Sequence, residues 1–245
     1  MNKRLIWCIV IGVIYFMANI SRASIIITGT RVIYPSNQRN VNVQLTNTGD
    51  YPSLVQSWID AGNSRETPDE VRTPFVITPP ITRIEKEKGQ TLRITYTGEP
   101  LAKDRETVFY LNILDIPPKP IFAENEENRN HLQIAVRSRI KLFFRPSDLN
   151  MDAKAAYDKV EWQLVQNQGK KQLLARNPTP YFITFHQIEI GQNKKRVAVK
   201  NPAMIPPFSD YYFELNANST ANTVYWVVIN DYGGKQKGES KLVQR

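Results

Sequence analysis

The chain has one cysteine in 245 residues, and only two histidines. That cysteine, Cys8, lies in an N-terminal segment expected to be removed. The mature chain then has no thiol for a disulfide, a thiolate metal ligand or a cysteine nucleophile. His131 and His186 do not form an HExxH pair, and no GxSxG turn or phosphate-cradling glycine loop is present. Zinc spacing, an aromatic–glycine ribonucleoprotein motif and a basic amphipathic helix are also missing. The basic balance therefore reads as solvated surface charge, and no nucleic-acid partner is expected. The carboxylate cluster Glu124, Glu126 and Glu127 lacks the regular ligand spacing of a calcium loop. No enzyme, cofactor or metal site declares itself.

What is present begins with an address. Lys3 and Arg4 precede an uncharged run from Leu5 to Met17, and Ser21-Arg22-Ala23 follows. A basic start, an apolar stretch and a small-x-small site make a secretory signal. The apolar run is too short to span a bilayer, and no later run acts as a stop-transfer. Cleavage after Ala23 is expected to leave Ser24–Arg245, 222 of the 245 residues, with no membrane insertion. Loss of Lys3, Arg4 and Arg22 takes the formal charge from +9 to +6. Without disulfides the mature chain depends on core burial, and its length suffices for two domains.

Almost every mature segment reads as strand and turn. Val41, Val43 and Leu45 alternate with polar residues before Asn47-Thr48-Gly49-Asp50 turns the chain. Leu54–Ile59, Phe75–Thr78, Ile81–Ile84, Thr91–Thr97 and Thr107–Ile116 follow at regular spacing, broken by Pro79-Pro80 and Pro117-Pro118. This pattern predicts an immunoglobulin-like sandwich. Ser147–Asp158 reads as a helical turn or linker, after which strands resume at Val160–Val165, Leu173–Ala175, Tyr181–Ile190, Arg196–Val199, Tyr211–Leu215 and Val224–Asn230. The fold class is therefore all-β, with two sandwich domains over 24–146 and 147–245.

The chain is organised around His131–Pro146, H-L-Q-I-A-V-R-S-R-I-K-L-F-F-R-P. Leu132, Ile134, Val136, Ile140 and Leu142 hold alternate positions, and Arg137, Arg139 and Lys141 lie between them. Eleven residues of such alternation predict a strand of about 36 Å, with one apolar and one basic face. It is either a core strand with a solvated basic face or an edge strand kept for a partner. An apolar row on an exposed edge also admits self-association.

The run Leu101–Pro117, L-A-K-D-R-E-T-V-F-Y-L-N-I-L-D-I-P, resembles the signature of the PapD-like periplasmic pilus (fimbrial) chaperones of the chaperone–usher pathway. The resemblance extends in order to Thr30-Arg31-Val32, Ala61, Thr78-Pro79-Pro80, Ile140–Pro146, Asn177–Tyr181 and Ile229–Gly234. It implies two immunoglobulin-like domains at an angle with a cleft between them. It also implies a periplasmic location and no enzymatic activity. The last strand of the first domain is then lent to a pilus subunit by β-augmentation, and the subunit is passed to an outer-membrane usher. The lent row falls on Leu132, Ile134, Val136 and Ile140. Two cations that anchor the subunit's C-terminal carboxylate fall on Arg31 and Lys141. A structural ion network between the domains falls on Glu106, Arg145 and Asp231, and a cis peptide within Thr78–Pro80.

The chain departs from the family in two places. The loop over 119–131 is longer than in many short-loop members and lacks the cysteine pair of the long-loop class. The disulfide common in the second domain is also absent. An exported β-sandwich subunit or adhesin is the rival class. It would need a donor arm at the mature N-terminus, for which Ser24–Thr30 is too short.

Overall fold

A computed structural model describes residues 24–119, 132–167, 170–192, 195–215 and 221–243. The expected signal (1–23), His131 and the cluster Glu124, Glu126 and Glu127 lie outside the described residues. The architecture is two immunoglobulin-like β-sandwiches. No described helix is long and apolar enough to cross a membrane.

The first sandwich contains β1 (Ile25–Ile27), β2 (Arg31–Pro35), β3 (Asn40–Asn47), β4 (Ser53–Asp60), β5 (Phe75–Thr78), β6 (Ile81–Ile84), β7 (Gly89–Tyr96), β8 (Thr107–Ile116) and β9 (Val136–Arg145). One sheet runs β1-β3-β7-β5 and the other β2-β9-β8-β4-β6. The chain changes sheets between β1 and β2 at Gly29, whose φ of +96° is natural only for glycine. Beyond that step β2 lies parallel to β9, so residues from the two ends of the domain become neighbours.

Period-2 alternation turns Val43, Leu45, Leu92 and Ile94 of one sheet toward Val55, Leu111, Ile113 and Leu142 of the other, and all eight are buried. Tyr34 ties the sheets together. Its hydroxyl donates to the Arg39 carbonyl and accepts from the Tyr96 amide, while its ring stacks on Phe144 with centroids 5.9 Å apart. The Thr78–Pro79 peptide bond is cis.

The segment read as a turn or linker holds a short helix, α1 (Ala153–Ala156), capped by the Asp152 carboxylate and followed by a 3-10 turn over Tyr157–Lys159. The second sandwich follows. Its strands are β10 (Glu161–Asn167), β11 (Lys170–Asn177), β12 (Ile183–Gln192), β13 (Lys195–Ala198), β14 (Met204–Ile205), β15 (Ser209–Glu214), β16 (Thr223–Ile229) and β17 (Lys235–Lys241). The sheets run β10-β11-β15 and β13-β12-β16-β17, with β14 added to β12. Trp162 packs against Phe185 and Phe213 in a core separate from the first.

Two strands escape the sequence pattern. β14 is only two residues long, and β17, K-Q-K-G-E-S-K, has no apolar residue. β17 exists because its backbone completes the ladder along β16. Gly238 of β17 also lies so close to the Trp226 ring that a Cβ there would sit 2.2 Å from it.

Candidate functional site

The strand expected to begin at Leu132 begins instead at Val136. Its antiparallel neighbour β8 explains the difference. Asp115 pairs with Val136, and Pro117-Pro118, lacking amide donors, ends that ladder. Leu132–Ala135 therefore runs on without strand pairing, and the Gln133 side-chain amide donates to the Pro117 carbonyl at 2.6 Å.

The two halves of β9 differ in their neighbours. β8 accompanies it from Val136 to Phe144, but β2 joins only at Lys141 and continues to Arg145. Along Val136–Ile140 one edge of β9 is thus free of any described strand. The apolar row divides at the same place. Leu132, Ile134 and Val136 are 85%, 63% and 49% exposed. Ile140 is partly buried against the core, and Leu142 is wholly buried.

Where β2 meets β9, Arg31 and Lys141 are directly opposed in the parallel register. Arg31 donates to the Ile229 carbonyl at 2.9 Å, while its Nε is buried without a hydrogen-bond partner. The Lys141 ammonium reaches Thr184 Oγ1 at 3.4 Å. Among the described residues neither cation forms an ion pair. Burial pulls both below their ordinary values, and Arg31 pushes Lys141 further down. Two desolvated cations side by side have the chemistry to receive an anion.

Arg145 has the opposite surroundings. It donates to Glu106 at 2.7 Å and to both carboxylate oxygens of Asp231 at 2.7 and 2.9 Å. Glu106 is buried and also accepts from the Phe182 amide at 2.8 Å. Burial pushes Glu106 up despite the opposing pull of Arg145. For Arg145 burial acts downward, but Asp231 and Glu106 outweigh it and raise the guanidinium above its usual value. Glu106 and Arg145 belong to the first sandwich, while Phe182 and Asp231 belong to the second, so this network ties the domains together.

The structure brings Arg31 and Lys141 together, and separately Glu106, Arg145 and Asp231. His186 is an exposed residue of β12 with no described catalytic partner. Sequence reasoning missed a third group, on the basic face of β9. Arg139 holds buried Asp60 through two bonds at 2.9 and 2.5 Å, and Arg137 holds Asn112 through two bonds at 2.9 and 2.7 Å. The signal available in sequence was the pair of arginines at alternate positions, but both acidic and amide partners lie far away along the chain.

Residues 24–150 match the family described as pili and flagellar-assembly chaperone, PapD N-terminal domain, and residues 155–240 match the pili assembly chaperone PapD, C-terminal domain. The chain belongs to the PapD-like pilus-assembly chaperones. Its relatives in this family include the chaperone protein HifB of Haemophilus influenzae, 47% identical over 226 residues, covering 92% of this chain and 89% of HifB. The probable fimbrial chaperone YadV of Escherichia coli is 43% identical, with 91% of each chain covered. The crystal structure of YadV superposes with a TM-score of 0.75, at 40% identity over 90% of this chain and all of that one. SafB of Salmonella enterica, solved in complex with the SafA pilin, gives a TM-score of 0.76 at 26% identity, covering 91% of this chain and 98% of that chain. Members of this family are named as chaperones, so the chain is not an enzyme.

Proposed function

We propose that this protein is a periplasmic chaperone that captures newly exported pilus subunits by lending them a strand, prevents their premature assembly and delivers them to an outer-membrane usher. One observation carries the reading: among the described residues, the free edge and exposed aliphatic row of β9 lead directly to two cations that have no carboxylate partner. The relative SafB was solved with a pilin, which supports a pilus subunit as the occupant.

The physics suits a subunit whose own sandwich lacks a strand. Main-chain bonds along Val136–Ile140 extend the subunit's sheet, while Leu132, Ile134 and Val136 fill its exposed groove. Each aliphatic side chain contributes roughly 1.5–3 kcal/mol of gross burial. Ile140, already half-occupied with the chaperone's own core, adds less. The subunit's terminal carboxylate sits between Arg31 and Lys141, where each charge-assisted bond is worth about 1.5–3 kcal/mol. The anchor also sets register, because a one-residue slip turns the apolar row away from the groove. No ATP is required. Release occurs when the next subunit supplies a better-fitting strand at the usher.

Co-expression in the periplasm with a pilus subunit tests the reading. The wild-type chain is expected to hold the subunit one-to-one, and Arg31→Ala and Lys141→Ala to lose it while remaining folded. Failure of the wild-type chain to hold any pilus subunit contradicts it.

A further inference from the structure

The free half of β9 poses a physical problem. Val136–Ile140 has one described strand neighbour, and the side chains at 132, 134 and 136 bury too little to hold it in place. A strand in that position is prone to fray or slip, yet it must wait in register for its partner.

The opposite face supplies the restraint. Arg139 reaches across β8 to β4, where its guanidinium takes both oxygens of Asp60. Asp60 is fully buried, and its carboxylate also accepts from Asn112 Nδ2 at 2.7 Å and the Gly62 amide at 2.8 Å. Asn112 passes the restraint on: its Oδ1 accepts from Nε and Nη2 of Arg137, whose Nη1 donates to the Ser64 carbonyl at 2.8 Å. Both guanidiniums are backed by rings, Arg139 by Tyr110 at 3.6 Å and Arg137 by Trp58 at 4.7 Å.

Resting on the chaperone reading above, we propose that Asp60, Asn112, Arg137 and Arg139 are positioning residues that clamp the lent half of β9 in register before the subunit arrives. The arrangement is specific to one register. Asn112 stands opposite Arg139, and Arg137 reaches it diagonally from its place opposite Leu114. A slip of one residue would drive both arginines into the core. The forked geometry matters as much as the charge, since a lysine cannot span two acceptor directions in the same way. By holding the strand extended in advance, the clamp removes ordering cost from the capture step.

Arg137→Ala is the test: its hydrogen-bond acceptors are a neutral amide and a carbonyl, and although its Nη2 also lies 3.9 Å from Asp60, that buried carboxylate keeps both bonds from Arg139. Arg137→Gln, which keeps a polar stem, gives the same two readouts if the alanine variant does not fold. The first readout is amide hydrogen exchange in the free protein. Exchange at 136–140 should accelerate at least about tenfold and by more than at Leu142–Phe144, with a modest fall in the thermal midpoint because buried Asn112 loses its donors. The second is affinity for a co-expressed pilus subunit, expected to fall about tenfold, equivalent to about 1.4 kcal/mol. Unchanged exchange at 136–140, uniformly faster exchange across the sandwich, or wild-type affinity would overturn the clamp. If the wild-type chain itself binds no subunit, the chaperone reading fails, and the exchange pattern still judges the clamp.

Discussion

Arg31 and Lys141 face each other across the parallel β2–β9 pair without a carboxylate between them, although Glu106 and Asp231 are near enough to be felt by Arg31. Those two acids are taken by Arg145. Among the described residues the chain thus separates one cation paired with carboxylates from two that are not, at the same domain boundary, and the two groups should respond to substitution with opposite signs.

Lys141→Met should stabilise the free protein and abolish subunit capture. The ammonium is partly desolvated beside another cation, so a thioether of similar length relieves a cost while removing half of the anion site. Thermal denaturation of the free variant, set beside its co-purification with a subunit, checks both halves.

Arg145→Ala should lower stability by about 3–5 kcal/mol, because Glu106 is left buried and uncompensated. Replacing exposed Asp104, which pairs with Arg105 at 2.7 Å at the surface, should change stability far less. Urea denaturation of both variants makes the comparison.

The apolar row should divide in the same way. Ser at Leu132, Ile134 or Val136 is expected to weaken subunit binding with little effect on stability, since these side chains are exposed in the free protein. Leu142→Ala, further along the same face of β9, should cost about 2–5 kcal/mol because it opens a cavity in the core. Ile140→Ala should show both effects, each at reduced size. Paired measurements of affinity and unfolding free energy separate the three classes.

How much of this was legible in sequence follows from what alternation records. Period 2 reports which face of a strand meets a core, so both sandwiches and the apolar row of β9 stand out. It does not report where a neighbour ends, and the start of β9 at Val136 depends on Pro117-Pro118 in a different strand. Nor does it see main-chain pairing without side-chain burial, which is why β17 is silent. Arg137 and Arg139 look like a solvated basic face because Asp60 lies 79 residues from Arg139 in the chain. Arg31, Lys141, Glu106, Arg145 and Asp231 were found through family resemblance. Spacing alone carries no trace of a parallel pairing between residues 110 apart.

pH should move stability and capture in opposite directions on the alkaline side. Lys141 is depressed in the folded protein by burial and by Arg31, so the unfolded chain binds more protons in the interval between its lowered and its ordinary value. Stability gains from this group as pH rises through that interval. Capture declines over the same interval, because the neutral amine no longer attracts a carboxylate.

Acid should act through Asp60. Burial opposes its ionisation, but bonds from Arg139, Asn112 and the Gly62 amide prevail and hold it below its ordinary value. Its contribution to stability is therefore present above the unfolded value and lost as pH falls through the folded one. Exchange at 136–140 should quicken at the acid end of that range before the global transition.

The most direct measurement is a binding cycle for a pilus subunit with a free or an amidated C-terminal carboxylate, against the wild-type chain and Arg31→Ala. If the carboxylate is held between Arg31 and Lys141, amidation weakens wild-type binding by tenfold or more and weakens Arg31→Ala much less. Equal losses in both proteins would mean that the carboxylate is read elsewhere, and the assignment of the two cations would be wrong.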